Sequence, residues 1–432
     1  IYDSAHRLPP ASCLPFDGKG VGEPVSYYTL PSDGVPSPDR TEAARRIRRA
    51  LFESVAKRRV ADVPVGAFLS GGLDSSIIVA HLAEVSSRPV QTFSVGWKDE
   101  RAYDETRYAR LVADRFGTEH HELILTDADV LDSIPGLLDH LGEPFFDSSI
   151  LPTAIVSEFA RRHVTVCLSG DGGDELFGGY WRYLAHGVYD KYQNLPRLAR
   201  SLLIEPLMGK AATSKGSVFQ NRIRQFRKLL RATGCDAVAR HIAWSEILAP
   251  EARDVLRHHG AHDPVLERFE RDTAMCDATD TLNRILTFDM QNSLPCDMLQ
   301  KVDLASMYHS LEVRVPFLDP DVVAAAMTLP SHMKIDRGCN KAVLKQAYRG
   351  ILPDEILNRG KKGFEVPIGE FLRSELREMF LDTVTKPAIE SFEMLDYNAV
   401  RRVYDDHCAR RGEHADLLFA LLSLCWWRTR QT

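Results

Sequence analysis

Short apolar runs alternate with longer amphipathic ones along the first part of the chain, a pattern that predicts alternating strands and helices. Residues 40–59 carry Ala44, Ile47, Leu51 and Val55 at helical spacing with arginines between them, which predicts an amphipathic helix with a solvated basic face. Residues 64–69 form a short, largely apolar run, as expected of a strand covered on both faces of a parallel sheet. The next segment, 75–86, contains Ile77-Ile78-Val79-Ala80 and reads as a helix packing back on that sheet. A strand at 90–95, a helix at 104–116, a strand at 119–125, helices near 128–140 and 150–162, and a strand at 164–168 follow. This order predicts an α/β fold with a doubly wound parallel sheet.

From about residue 185 the pattern is mostly helical, with few strand candidates. The expected layout is an α/β core over 39–185 and a mostly helical part over 186–432, with 285–380 returning to the active site through loops. Residues 1–38 are rich in proline and glycine and read as a linker or the tail of a preceding domain.

Two predicted strands run directly into glycine loops. The first loop is Ser70-Gly71-Gly72-Leu73-Asp74-Ser75-Ser76. Its glycines permit positive φ and let backbone N–H groups face a ligand, and the following helix start is a ready anion site. It lacks the lysine of a Walker loop and carries Asp74 instead. A carboxylate there repels phosphate, so a divalent cation between the two makes the arrangement sensible. The second loop, Ser169-Gly170-Asp171-Gly172-Gly173-Asp174-Glu175-Leu176-Phe177-Gly178-Gly179-Tyr180, repeats that logic. Both loops are expected at the carboxyl ends of strands, so that Asp74, Asp171, Asp174 and Glu175 converge; such acids need a cation among them.

Two later stretches also carry charge in buriable surroundings. Residues 294–319 set Asp303, Glu312, Arg314 and Asp319 in an otherwise apolar segment, and an internal ion-pair network is the expected reading. The other is Arg359-Gly360-Lys361-Lys362-Gly363-Phe364-Glu365-Val366-Pro367-Ile368, where a lysine on a glycine-flanked loop could neutralise pyrophosphate. The adjacent pairs His120-His121 and His258-His259 are expected at the surface, and Trp426 and Trp427 are expected to pack the last helix.

Composition narrows the class. At 432 residues the chain predicts two or three domains. A net charge of −6 argues against a dedicated nucleic-acid binder. No apolar run approaches the roughly 20 residues of a membrane span. The eight cysteines are scattered without C-x-x-C spacing and no signal peptide is evident, so they read as reduced thiols in a cytoplasmic protein. The chain starts at Ile1 and opens without a strand–helix unit of its own, which reads as a start partway through a larger protein.

The S-G-G-L-D-S-S stretch resembles the pyrophosphate loop of the N-type ATP pyrophosphatases, which cleave ATP between the α- and β-phosphates. Taken in order, the four stretches resemble the synthetase domain of glutamine-dependent asparagine synthetase, over roughly residues 40–430. The resemblance implies ATP-dependent amidation of a carboxylate, aspartate foremost, through an acyl-AMP, with Mg²⁺ as cofactor. It also implies glutamine-derived ammonia delivered by an N-terminal glutaminase domain, of which residues 1–30 resemble the closing strands; a homodimer is compatible with it.

By the same resemblance, Ser70, Gly71, Gly72, Asp74, Ser75 and Ser76 hold the ATP phosphates. Leu69, Val95 and Gly170 line the adenosine pocket, with Ser169 beside it. Asp74 and Asp174 are the Mg²⁺ ligands, Asp171 manages the tetrahedral intermediate, and Lys361 stabilises charge on the α-phosphate and pyrophosphate. Glu175 and Arg314 are candidates for the amino acid's charged groups. Two other readings compete: a β-lactam synthetase-like cyclase, which would carry tyrosine at position 171, and a silent scaffold.

Overall fold

The computed structural model describes residues 5–31, 39–98, 104–193, 195–196, 236–248, 250–257, 280–360, 363 and 366–430. An antiparallel pair of two-residue strands, β1 (Ser12–Cys13) and β2 (Val25–Ser26), lies in the segment read as linker. Helix α1 (Arg40–Arg58) follows, started by Asp39, whose carboxylate accepts from the Thr41 and Glu42 N–H groups. Its Ile47, Leu51 and Val55 are fully buried, as their spacing requires.

The core is a five-stranded parallel sheet. Strands β3 (Val65–Phe68), β4 (Gln91–Trp97), β5 (Glu119–Leu125) and β6 (Val166–Leu168) alternate with helices α2 (Leu73–Val85), α3 (Thr106–Phe116), α4 (Asp127–His140) and α5 (Ile150–Arg161). The fifth strand, β7 (Glu312–Arg314), comes from the later part of the chain, where the sequence pattern named no strand. At three residues it is too short for a period-two signal.

The strand order is β5-β4-β3-β6-β7. The chain therefore builds outward from β3 to β5 and returns to the other side of β3 as β6. That reversal makes a switch point between β3 and β6, where open α/β sheets bind ligands beyond their carboxyl ends. On the other side of β3 the strands approach closely: a Cβ on Gly66 would lie 2.8 Å from the Gln91 carbonyl oxygen of β4.

Two apolar layers cover the sheet. One joins Ala67, Leu69 and Leu168 to α1, α2, α3 and residues 317–357. The other joins Phe93, Val95, Trp97 and Cys167 to α4, α5 and the C-terminal helices, including Ala415–Arg430. Trp426 and Trp427 pin that last helix, donating to Asp139 and the Gly142 carbonyl. The neighbours His120 and His121 are not surface residues. On β5 they face opposite ways: His120 reaches the Thr92 and Ser94 hydroxyls at 2.9 and 3.2 Å, and His121 stacks on Phe93. Their partly buried rings fit the two-residue alternation of a strand covered on both sides. His258 and His259 lie outside the described residues. Among the described residues no helix is long and apolar enough to cross a membrane.

Candidate active site

The two glycine loops leave adjacent strands, β3 and β6, and interlock. In the first, Gly71 adopts φ +69°, and a side chain there would strike Tyr108 Cβ at 2.5 Å and the Tyr108 and Ala109 backbone at 2.6 Å on α3. Only glycine lets α3 pack so closely on the turn. The Ser75 and Ser76 hydroxyls donate to the Gly72 carbonyl at 3.2 and 2.6 Å, and Ser70 meets Ser75 at 3.2 Å. The Ser76 N–H bonds the same carbonyl. Helix α2 starts directly from this turn, so the positive end of its dipole and its first-turn N–H groups stand at the loop.

The second loop presses against the first. A Cβ on Gly170 would sit 2.7 Å from the Ser75 nitrogen, and one on Gly173 2.7 Å from Asp74 Oδ1. Gly172 adopts φ +84° and starts the one-turn helix α6 (Gly173–Phe177), which buries Asp174 and Glu175. Two sequence-predicted acids, Asp74 and Asp174, thus come together across the switch point.

The cation between them is one the sequence did not reveal. Lys341 Nζ lies 2.5 Å from Asp74 Oδ2 and 2.5 Å from Asp174 Oδ1. Lys341 is only 5% exposed and takes a left-handed conformation, φ 54°, at the head of the helix Ala342–Ala347. No composition or period marks it off from Lys345, because its role depends on a contact 267 residues away. The carboxylates and this ammonium define one cation locus. A Mg²⁺ there would find two carboxylate ligands and would take its other positions from water and phosphate, its usual mode. Among the described residues no group of three or more His, Cys, Asp or Glu gathers around a single point.

Glu175 lies beside this pair. Burial foremost, and then the Asp174 charge, pushes its pKa up to about 7, although Tyr180 donates to it at 2.7 Å. Asp171 is partly exposed at the mouth of the same loop. The Ser169 hydroxyl is buried without a hydrogen-bond partner among the described residues, while its N–H donates to the Arg314 carbonyl at 2.9 Å. Leu69 and Val95 are buried at the ends of β3 and β4.

Two further stretches reach the site differently. Arg359 donates to the Gly71 carbonyl at 3.0 Å, pairs with Glu105 and lies 4.1 Å over the Tyr108 ring, fastening its segment to the first loop. Lys361 and Lys362 lie outside the described residues. Arg314 turns away to hold α1: it donates to the Arg58 and Val60 carbonyls at 2.7 Å each and pairs with Glu312 at 2.6 Å. Asp319 pairs with Arg58 at 2.7 Å, so part of the expected ion-pair network is present.

A second buried polar centre stands behind α6. Asp289, fully buried, accepts from Tyr183 at 2.6 Å, Ser293 at 2.7 Å and Arg182 at 3.2 Å, and meets His241 Nε2 at 2.9 Å. Burial alone would raise its pKa, but His241 and Arg182 hold it well below the usual carboxylate range.

Comparison with known proteins supplies the relationship. The asparagine synthase family model matches residues 46–429. The chain is 30% identical to asparagine synthetase [glutamine-hydrolyzing] 1 of Bacillus subtilis, covering 99% of this chain and 68% of that protein. It is 34% identical to a putative asparagine synthetase [glutamine-hydrolyzing] of Mycobacterium bovis, over 93% of this chain and 60% of that protein. Over 46% of the chain it is 41% identical to a putative asparagine synthetase [glutamine-hydrolyzing] 2 of Methanocaldococcus jannaschii. The chain thus spans about 60–68% of the length of the first two of these relatives. With a family match across nearly all of the α/β core and the helical part, this chain belongs to the asparagine synthase family.

Proposed function

We propose that the chain activates the side-chain carboxylate of aspartate with ATP, as an N-type ATP pyrophosphatase, and passes the activated acyl group to ammonia. The observation that carries this reading is the pair of interlocked glycine loops with Asp74 and Asp174 converging on one cation locus.

A carboxylate does not accept ammonia, because its oxygen is a poor leaving group. Attack of that oxygen on the α-phosphorus expels pyrophosphate and gives an acyl-AMP; ammonia then attacks the acyl carbon and AMP leaves. Two anions must first be held together, which is the work of the site's donors and cations. The N–H groups at the start of α2, with Ser70, Gly71, Gly72, Asp74, Ser75 and Ser76, bind the β- and γ-phosphates, Asp74 through the metal. Leu69, Val95, Ser169 and Gly170 flank the adenosine.

Asp74 and Asp174 would hold Mg²⁺, which when bound neutralises phosphate charge. Lys341 balances the two acids and is placed to move onto phosphate. Lys361 meets the departing pyrophosphate, in the register of the R-x-K-x-G-F pattern. Asp171, partly exposed at the loop mouth, takes the proton from the attacking ammonia. An acid at this position favours an external amine over ring closure. Glu175 is the candidate nearest the acids for the amino acid's ammonium.

The test is exchange of labelled pyrophosphate into ATP, with L-aspartate and other carboxylic acids compared, and amide formation from ammonium. Exchange that depends on L-aspartate is expected. Exchange supported only by another acid would replace the acceptor, and none with any acid would sink the adenylation reading.

A further inference from the structure

On the side of α2 away from the phosphate loop is a cleft of about 400 Å³, within the range of small-molecule sites. Its floor is a buried pair: His81 Nε2 lies 2.7 Å from the Tyr348 hydroxyl, and both residues are at most 2% exposed. His81 Nδ1 reaches Glu84 at 3.2 Å. Arg48 of α1 and Arg115 of α3 stand on the rim, both exposed. Phe116 and Ile351 supply apolar wall.

The charges of this cleft are held apart. Arg48 and Glu84 both face the His81–Tyr348 pair, yet among the described residues neither closes an ion pair on the other. Arg115 uses only its Nε, on the Ile351 carbonyl at 3.5 Å, and no carboxylate among the described residues engages its terminal nitrogens. Cationic donors and one carboxylate around a space of this size match a small molecule bearing an anion and a cation. A simple anion would leave Glu84 with only the His81 ring as its partner among the described residues, and a simple cation would give neither guanidinium group a carboxylate.

The cleft is built on the far ends of elements whose near ends form the candidate active site. Helix α2 carries Asp74 and Ser75 at one end and His81 and Glu84 at the other, about 15 Å apart at 1.5 Å per residue. Helix α3 packs Tyr108 and Ala109 on Gly71 and brings Arg115 and Phe116 to the cleft. The helix Ala342–Ala347 has Lys341 before it and Tyr348 after it. The His81–Tyr348 bond therefore ties together the same two elements that the Asp74–Lys341 contact ties at the other end.

We propose that this cleft binds the zwitterion of a free α-amino acid, its carboxylate between Arg48 and Arg115 and its ammonium on Glu84, and that occupancy is coupled to the phosphate loop. The ligand class is read from the cleft; only the choice of probes rests on the proposed reaction. A ligand that bridges α1, α2 and α3 fixes the spacing of α2 against Tyr348, and so biases how Asp74 meets Lys341.

The experiment is calorimetric titration of L-asparagine, L-aspartate and L-glutamine into the full chain, which needs no turnover and so is independent of the adenylation assay. At least one should bind saturably, weakened about tenfold or more by Arg48→Ala and by Glu84→Gln, as expected for loss of a charge-assisted contact. Asp174→Asn should leave that binding in place. The bound amino acid should also shift ATP affinity about fivefold or more, with the reciprocal shift in its own affinity. Arg115→Ala gives an independent check, since it leaves the floor untouched. No saturable binding of any of the three overturns the proposal, as does binding lost with Asp174→Asn but not with Arg48→Ala. Inorganic phosphate that binds in an Arg48-dependent but Glu84-independent way, while the amino acids do not bind, overturns it in favour of an anion site.

Discussion

Asp289, Asp174 and Glu175 are buried to a similar degree, with Asp74 more open, but the two groups of acids are compensated differently. Asp289 is one carboxylate met by Arg182, His241, Tyr183 and Ser293. Among the described residues, Asp74 and Asp174 share the Lys341 ammonium, and Glu175 beside them accepts from Tyr180. Their pKa directions follow: Asp289 is held low by its partners, and Glu175 is pushed up to about 7 by burial and by Asp174. Carboxylates gathered where α/β sheets bind ligands are what a metal–nucleotide site should show, whereas a carboxylate met by fixed donors serves the fold.

The largest effect should come from the loop acids. Asp74→Asn and Asp174→Asn should each lower pyrophosphate exchange by about 100-fold or more, in the range set by loss of one main electrostatic contact. Lys361→Ala should have a comparable effect, and Lys362→Ala a far smaller one. Near-normal exchange in either aspartate variant at ordinary Mg²⁺ would remove the distinction between the two centres.

The balanced centre should respond in stability instead. Asp289→Asn leaves Arg182 and His241 without their anion, a change of about 3 kcal/mol for a buried pair. Chemical denaturation should show that loss, while exchange per folded molecule stays unchanged. A folded, stable Asp289→Asn protein without activity would mean that this centre belongs to the reaction.

These two centres were unequally legible. Ser70–Ser76 and Ser169–Tyr180 could be read because each role is local: glycines at a turn, an acid, and a helix start within a few residues. The parallel sheet was legible for a similar reason, since each strand of the first four is followed by its own helix. Lys341, β7 and Asp289 were not. Lys341 acquires its meaning from acids 267 and 167 residues earlier in the chain, and Asp289 from Arg182 and His241, all in unremarkable local sequence. Burial partners set by tertiary packing leave no period to read.

An intermediate case lies at Asp147, Lys301 and Asp297. Lys301 pairs with Asp147 at 2.9 Å and holds it low against the pull of burial. Asp297, with a buried oxygen lacking a partner among the described residues, is pushed up to about 6 by burial and by Asp147. A raised folded-state value means that the unfolded chain loses its proton first. Stability should fall as pH rises from about 4 to about 6, and level off above. Asp297→Asn should remove that slope and stabilise the protein by about 1–2 kcal/mol at pH 7 relative to pH 4, below the ceiling of about 3 kcal/mol that a shift of about two pH units sets. Melting temperatures of wild type and variant across that range read it directly. A variant that loses stability at pH 7 would show that the Asp297 carboxylate is held by partners of its own in the folded protein.

The smallest effect is expected at Arg314, where binding and bracing make different demands. A guanidinium that binds substrate must be open to it, but this one holds the Arg58 and Val60 carbonyls and Glu312 while its backbone carbonyl accepts from Ser169. Those contacts join the end of α1 to β7 and place the second loop indirectly. Arg314→Gln should therefore cost about 1–2 kcal/mol of stability, the range for losing hydrogen bonds to a charged group. The KM for the carboxylate substrate should stay near the wild-type value, with any fall in kcat recovered at lower temperature as the loop is held again. A KM raised about tenfold or more at unchanged stability would instead place the guanidinium on the substrate, and Arg314 would then have to release α1 each time the site fills.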